Sequence, residues 1–240
     1  MADHLAVLDP AVRLHGLQLP ALAHGLVVLV HLDCASQQRS GQRFIADVLR
    51  ANGLATLAVT LHPAEAQRAG LPPPGQVLIK HRLRAVFDWL ATQMPAGQAP
   101  VALLGVDDAV RGCVAAAARL RPAALRSLIL LDGRPYHASK LLARLSQPTL
   151  MVVGACDTRS VNRHRAALRQ MTAPSRLELL PLTTQPKAAP GAHQAFAHVA
   201  LRWLESTLRP EGGAPPAFVQ AGISTWRTQA QGRDAAGAGR

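Results

Sequence analysis

Two adjacent carboxylates, Asp107 and Asp108, are the first residues in this sequence whose types and position suggest chemistry. They stand in the segment VALLGVDDAVRGCVAAAARL, residues 101–120. An apolar run leads into Gly105, and an alanine-rich amphipathic stretch follows the acidic pair. This pattern predicts a strand over 101–104, a tight turn at the carboxylates, and a helix from about 108 to 120. Asp107 is therefore predicted at the turn, where a side chain can reach a ligand, and Asp108 is expected to cap the helix.

The other candidate groups are histidines and a cysteine. His31 stands next to the end of an apolar run over residues 25–32, and His193 stands near the start of the last predicted helix. Either imidazole could act as a base, although we interpret His31 as a structural histidine and His193 as an exposed one. His164 is expected on a helix surface. Cys34 has no identified base beside it and is therefore a poor nucleophile candidate.

Asp157 is the remaining candidate acid. It follows the apolar run PTLMVVGACD, residues 148–157, so it is predicted at the end of a buried strand. A carboxylate there can also be satisfied by local backbone N–H groups. No spacing motif for metal ligands joins it to other acidic residues, and we predict neither a metal site nor a cofactor.

Alternating strands and helices position these candidates. Apolar runs of strand length predict buried strands, and segments with helical spacing separate them. The polar stretch DCASQQRSG, residues 33–41, is expected to be a loop, and the helix that follows it is expected to stop at Asn52-Gly53. Nearly continuous apolar strands between helices predict an α/β fold with a mostly parallel sheet covered by helices on both faces and no large lid.

The length and composition of the chain indicate how many domains to expect. The chain has 240 residues, of which 49% are hydrophobic and 3% aromatic, which is enough for one substantial core built mainly from Leu, Val and Ala. We expect one domain over residues 1–209 and a flexible, low-complexity tail over 210–240. No apolar run approaches the roughly 18 residues of a membrane span, so no membrane partner is expected.

The charge of the chain bears on its binding partners, and its cysteine content bears on the cellular compartment to expect. The formal net charge is +12, with 26 Lys and Arg against 14 Asp and Glu. The basic residues are nearly all arginines spread along the chain, so nucleic-acid binding is a lesser alternative to a solvated basic surface. Three scattered cysteines, with no disulfide framework and no secretory leader, favour the cytoplasm.

The order of elements resembles the α/β-hydrolase fold, and specifically the small dienelactone-hydrolase-like group, over about residues 5–208. The resemblance rests on three segments: LVVLVHLDCASQQRSGQRFIADVLRANGLATLAV, LLGVDDAVRG and TLMVVGACDTRSV. The second segment matches the nucleophile elbow G-x-S-x-G, with Asp107 at the serine and Ala109 at the second glycine. The third places the triad acid at Asp157.

The resemblance also implies a histidine and an oxyanion loop, and both are altered here. Gln185 stands where the family has its histidine, and glutamine cannot act as a general base near neutral pH. Leu32 replaces a glycine of the oxyanion loop, next to Cys34. We therefore interpret the chain as a non-catalytic relative that binds a small molecule or a protein partner in a pocket near Asp107, Asp157, Leu32, Cys34, Asp108 and Gln185.

Two alternatives stay open. Some α/β hydrolases, such as haloalkane dehalogenases, attack through an aspartate. Asp107 could act in this way on an ester or carbon–halogen bond if His193 or His31 served as a relocated base. In the third interpretation, the basic surface and the tail bind a polyanion such as nucleic acid.

Overall fold

The apolar runs form one seven-stranded sheet. The computed structural model describes residues 12–18, 23–32, 36–93, 100–120, 124–180 and 191–208. The strands are β1 (Arg13–Gln18), β2 (Leu26–His31), β3 (Ala55–Thr60), β4 (Val101–Val106), β5 (Ser127–Leu131), β6 (Thr149–Gly154) and β7 (Ser175–Leu180).

The order of the strands is β1-β3-β2-β4-β5-β6-β7. Strands β2 to β7 are parallel to their neighbours, and β1 pairs antiparallel with β3 at one edge. The predicted α/β class with a mostly parallel sheet is therefore confirmed. Because parallel strands end at the same edge, the residues after β4 and β5 come together at the carboxyl ends of the sheet.

Seven helices connect the described strands. They are α1 (Ser36–Ala51), α2 (Ala64–Arg68), α3 (Gln76–Gln93), α4 (Val110–Ala117), α5 (Ser139–Leu142), α6 (Thr158–Leu168) and α7 (Ala192–Leu208). Two predicted boundaries were wrong. Helix α1 begins at Ser36, so residues 36–41 are helical rather than loop. Helix α4 begins only at Val110, after a 3-10 turn over Asp107–Ala109.

Helices cover both faces of the sheet, and each face has its own apolar core. On one face, Leu83 of α3 and Val114 of α4 pack with Val28 and Leu103 of the sheet. On the other face, α1 and α7 pack together over the alternate strand residues. Each central strand is thus buried on both sides, which explains why its sequence is continuously apolar rather than alternating.

The tail predicted over 210–240 lies outside the described residues, as do Cys34 and Gln185. Among the helices that are described, none is long and apolar enough to cross a membrane.

Candidate functional site

The turn after β4 has the geometry expected of an elbow. Asp107 adopts φ +54°, in the left-handed region that side chains with a Cβ rarely occupy. Strand β4 and helix α4 approach closely at Gly105, where a Cβ would lie 2.7 Å from Sγ of Cys113. Ala109, which replaces the second glycine of the elbow pattern, is fully buried with an ordinary φ of −70°. The backbone therefore keeps the shape of an elbow although the serine is absent.

A second left-handed aspartate lies at the end of the neighbouring strand. Asp132 follows β5 with φ +53°, and its N–H donates to the carbonyl of Val152 on β6 at 2.8 Å. Gly133, at φ +70°, packs directly against the elbow, because a Cβ on it would overlap the backbone carbonyl oxygen of Asp107. Asp107 and Asp132 are the only described non-glycine residues with positive φ. Such strained residues cluster at functional sites.

The two aspartates line one small cavity at the carboxyl ends of the strands. Its volume is about 60 Å³. The polar residues of its described lining are Asp107, Asp132, His193 and Gln42. The remaining lining residues are apolar: Ile45, Val106, Leu131, Leu180, Ala192 and Phe196. A mostly apolar pocket with a few converging polar groups is the usual form of a small-molecule site.

His193 enters this cavity wall from the second residue of α7, and its ring is half-buried. Burial lowers the pKa of His193 below its ordinary value of 6.5, so the imidazole is neutral at pH 7. The ring also contacts α1, where a Cβ built on Gly41 would overlap it. His193 thus lies half-buried between two helices and lines the same cavity as Asp107, rather than being exposed as the sequence suggested.

Asp157, the predicted triad acid, is exposed and caps a helix. Its carboxylate accepts a hydrogen bond at 3.0 Å from the backbone N–H of Ser160 in the first turn of α6. Asp157 is not among the residues that line the cavity. Its local environment is that of an N-cap, the alternative considered for this carboxylate from the sequence.

Asp108 and Leu32 also lie away from the cavity lining. Asp108 is exposed, and the expectation that it caps the following helix was wrong: α4 begins after Ala109, with no side-chain cap. Leu32 is half-buried and packs against the core on the α3–α4 face of the sheet. Neither side chain is placed to form part of the pocket predicted from the sequence.

His31 is held inside the sheet. It is 5% exposed, and its Nε2 forms a 2.8 Å hydrogen bond with Oγ1 of Thr60 on the neighbouring strand β3. It is not part of the cavity lining. This environment is that of a structural histidine, as the sequence interpretation held.

The expectation for His164 was wrong. This residue of α6 is only 1% exposed rather than on the helix surface. Its Nδ1 lies 2.8 Å from the carbonyl oxygen of Ser160, and the ring of Tyr136 meets it edge-on with centroids 5.6 Å apart. Burial lowers the pKa of His164, an effect that outweighs the backbone carbonyls of Ser160 and Asp132 and the charge of Asp157, which act in the opposite direction.

Within the described ranges, no group of three or more His, Cys, Asp and Glu side chains is arranged to hold a metal ion. Cys113 is fully buried behind the elbow, and burial raises the pKa of its thiol far above the ordinary value. A thiol that stays protonated and enclosed is not a nucleophile.

Sequence reasoning missed Asp132 and Gln42. A signal for Asp132 was present, because the pair Asp132-Gly133 directly follows an apolar run, as Asp107 does. Residues after adjacent parallel strands share one edge of the sheet, and this rule alone would have paired the two aspartates. Gln42 carried no comparable signal, since it was expected at the first position of a helix that in fact begins at Ser36.

The solved structures that share this architecture include a dienelactone hydrolase. Dienelactone hydrolase from Anabaena variabilis superposes with a TM-score of 0.74 and 28% identity, covering 87% of this chain and 99% of its own. Est1E from Butyrivibrio proteoclasticus superposes with a TM-score of 0.65 at 13% identity, covering 81% and 93% of the two chains. The resemblance to the α/β-hydrolase fold and to dienelactone hydrolase is therefore confirmed. No family model matches the chain.

Two curated relatives of the chain are named for a different activity. Proteins from two strains of Mycobacterium tuberculosis, CDC 1551 and H37Rv, are provisionally named phosphoribosyl transferases. Each is 29% identical to this chain over 188 residues, which is 78% of the chain and 42% of the relative. The chain thus spans about two-fifths of the length of the curated relatives that it matches.

Proposed function

We propose that this α/β-hydrolase-fold chain binds a small ligand in the cavity beside Asp107 and lacks the serine esterase chemistry of its structural relatives. The carrying observation is the elbow itself, which places Asp107 in the wall of a small, partly open, largely apolar cavity. A serine at that position is converted to a nucleophile by a histidine. Asp107 needs no such activation to accept hydrogen bonds, and Gln185 takes the place of the family's histidine.

The lining indicates the class of ligand. The chain carries 26 basic and 14 acidic residues, yet the described lining contains two acidic residues and no Lys or Arg. A cationic or hydroxyl-bearing head group would be attracted to Asp107 and Asp132, while an anion would be repelled. An ordered water needs roughly 10–15 Å³ in a cavity, so this volume fits a ligand of roughly four to six heavy atoms with an apolar body.

The same reasoning weighs against phosphoribosyl transfer at this cavity. The name of the curated relatives refers to proteins of which this chain matches only 42%. Phosphorylated substrates are usually held by cationic side chains together with helix N-termini, and the described lining contains the start of α7 but no Lys or Arg. The two carboxylates in the lining would repel such a substrate, so we do not assign this activity to the cavity.

A second candidate function is hydrolysis through Asp107. The observation that favours it is the placement of His193 in the same cavity wall, with a pKa that keeps the imidazole neutral. On a carbon–halogen bond, the Asp107 carboxylate would displace the halide ion and form an ester on the protein. On a carboxylic ester, it would displace the alkoxide or phenoxide and form an anhydride. A water molecule that gives its proton to His193 would then cleave either intermediate and restore the carboxylate.

One set of measurements separates the two candidates. Calorimetric titration with isobutylammonium, isobutanol and isobutyrate tests binding of a cation, a neutral alcohol and an anion with similar apolar bodies. Turnover of p-nitrophenyl acetate and 1-chlorobutane tests hydrolysis. The binding proposal expects the cation or the alcohol to bind, the anion not to bind, and no turnover; Asp107→Asn should weaken cation binding about tenfold or more. Turnover that Asp107→Asn abolishes would instead establish the hydrolase.

Binding of a polyanion through the basic surface is the remaining proposal, and it concerns a different part of the molecule. It predicts an affinity for duplex DNA that falls steeply as salt rises from 50 to 200 mM, as counterion release requires. Asp107→Asn should leave that affinity unchanged, because the cavity plays no part in it.

A further inference from the structure

Gly41 occupies an unusual place for a glycine. It is the sixth of sixteen residues in α1, well inside the helix and away from either end. Its φ is not positive, so no turn or left-handed conformation requires glycine there. Glycine inside a helix lowers the folded-to-unfolded ratio roughly two- to fivefold relative to alanine. Another feature of the fold must account for it.

The surroundings of Gly41 identify that feature. A Cβ at position 41 would overlap the imidazole of His193, and even the third-nearest atom, Cε1, would be only 2.6 Å away. The three nearest atoms all belong to this one ring: Nε2, Cδ2 and Cε1. Neither the backbone of α7 nor any other side chain is as close. The glycine therefore leaves space for the His193 imidazole in particular, rather than for helix–helix packing in general.

Both residues adjoin the cavity. Gln42, the next residue of α1, lines it together with His193 and Asp107. Any side chain on residue 41 would push the ring out of its place between the two helices. Because the ring forms part of the cavity wall, that displacement would change both the shape of the cavity and the polar groups presented to a ligand.

We infer that Gly41 is a positioning residue. It keeps open the space in which the imidazole of His193 stands at the cavity wall. This placement makes His193, together with Asp107, a hydrogen-bond partner for the polar head of the ligand. The inference rests on the proposed function for the role of the ligand. The steric dependence of His193 on Gly41 can be tested without any ligand.

A double-mutant cycle tests the steric dependence. Gly41→Ala should lower the midpoint of urea unfolding, because the new Cβ overlaps the ring. In the His193→Ala background the same substitution should raise the midpoint, since the overlap is gone and alanine favours the helix. Gly75→Ala, at the residue before α3, is the control for a glycine-to-alanine change without overlap, because a Cβ there meets nothing within 4 Å. Effects of Gly41→Ala that are equal in the two backgrounds would overturn the inference.

NMR of the imidazole tests the functional part. We expect the His193 ring signals, assigned by their loss in His193→Gln, to titrate below pH 6.5 in the wild type and closer to the ordinary value in Gly41→Ala. Isobutylammonium should shift these signals in the wild type and in Gly75→Ala, and Gly41→Ala should bind it at least about tenfold more weakly. Binding of the probe to Gly41→Ala with wild-type affinity would overturn the positioning role.

The failures are distinguishable. Suppose that Gly41→Ala lowers the unfolding midpoint in the wild type and raises it in the His193→Ala background, but neither isobutylammonium nor isobutanol binds the wild type. The proposed ligand class is then wrong, whereas the dependence of His193 on Gly41 stands. If isobutylammonium binds and shifts the signals of His193, while Gly41→Ala changes the unfolding midpoint equally in the two backgrounds, the cavity is a ligand site but Gly41 does not position the ring.

Discussion

Gly133 packs against the backbone carbonyl of Asp107, so the turn after β5 supports the elbow after β4. A Cβ on Gly133 would overlap that carbonyl oxygen and lie 2.8 Å from Cβ of Val110 at the start of α4. The turns that carry the two aspartates of the cavity are therefore packed directly against each other.

This contact predicts a large difference between two glycines with the same φ. Gly133 and Gly70 both have φ +70°, but a Cβ on Gly70 would meet nothing within 4 Å. Gly70→Ala should cost about 1–2 kcal/mol of unfolding free energy from conformational strain alone. Gly133→Ala adds steric overlap of about 1–3 kcal/mol. Urea unfolding of both variants measures the difference, and equal losses would show that the contact is unimportant.

Asp157 is predicted to act on stability rather than on the cavity. Asp157→Ala removes the N-cap of α6 and should cost about 1 kcal/mol in urea unfolding. Asp157→Ser, which can still accept the N–H of Ser160, should retain most of that stability. Both variants should bind isobutylammonium as the wild type does. A loss of binding in Asp157→Ser, with stability kept, would return this residue to the role that the family resemblance implies.

The lowered pKa values of His164 and His193 predict that the protein loses stability in acid. The folded-state pKa of His164 is lowered below the value of 6.5, so the unfolded chain binds more protons in the interval between the two values. The stabilisation is therefore fully present above pH 6.5 and declines as the pH falls below it. Urea unfolding at intervals from pH 7.5 to 5 should show this slope, and His193 contributes to it in the same direction.

His164→Gln provides the comparison for that slope. It should reduce the pH dependence below 6.5, whatever its effect on stability at pH 7.5. His81→Gln, a change of the same type at an exposed position of α3, should leave the slope unchanged. An identical slope in His164→Gln would assign the pH dependence to other groups.

Cysteine labelling is predicted to separate Cys156 from Cys113. Cys156 is exposed after β6, whereas Cys113 is fully buried with a raised pKa. Native protein at pH 8 should be modified by a thiol reagent at Cys156 within minutes, and at Cys113 only after unfolding in urea. Peptide mass spectrometry identifies the two sites. Rapid native labelling of Cys113 would mean that the region behind the elbow opens readily.

More of the fold than of the candidate site could be predicted from the sequence. Continuous apolar runs identified the parallel sheet, and Gly105 followed by Asp107 marked the elbow, because both signals are local. The start of α1 was missed because SQQRSG is polar and contains a glycine, so it resembles a loop. A glycine is tolerated inside this helix because the ring of His193, more than 150 positions later, occupies the space that a Cβ would need. Such a long-range contact leaves no local pattern.

The cavity wall is assembled from segments far apart in the chain, from Gln42 on α1 to Phe196 on α7. A ribosome synthesises α7 after all the other described elements. Until that helix has emerged, the core on this side of the sheet, which includes Ile45 of α1 and Leu104 and Leu150 of the strands, lacks the residues that α7 contributes. We therefore expect the nascent chain to need chaperone protection until α7 has been synthesised, because this apolar face remains incomplete until then.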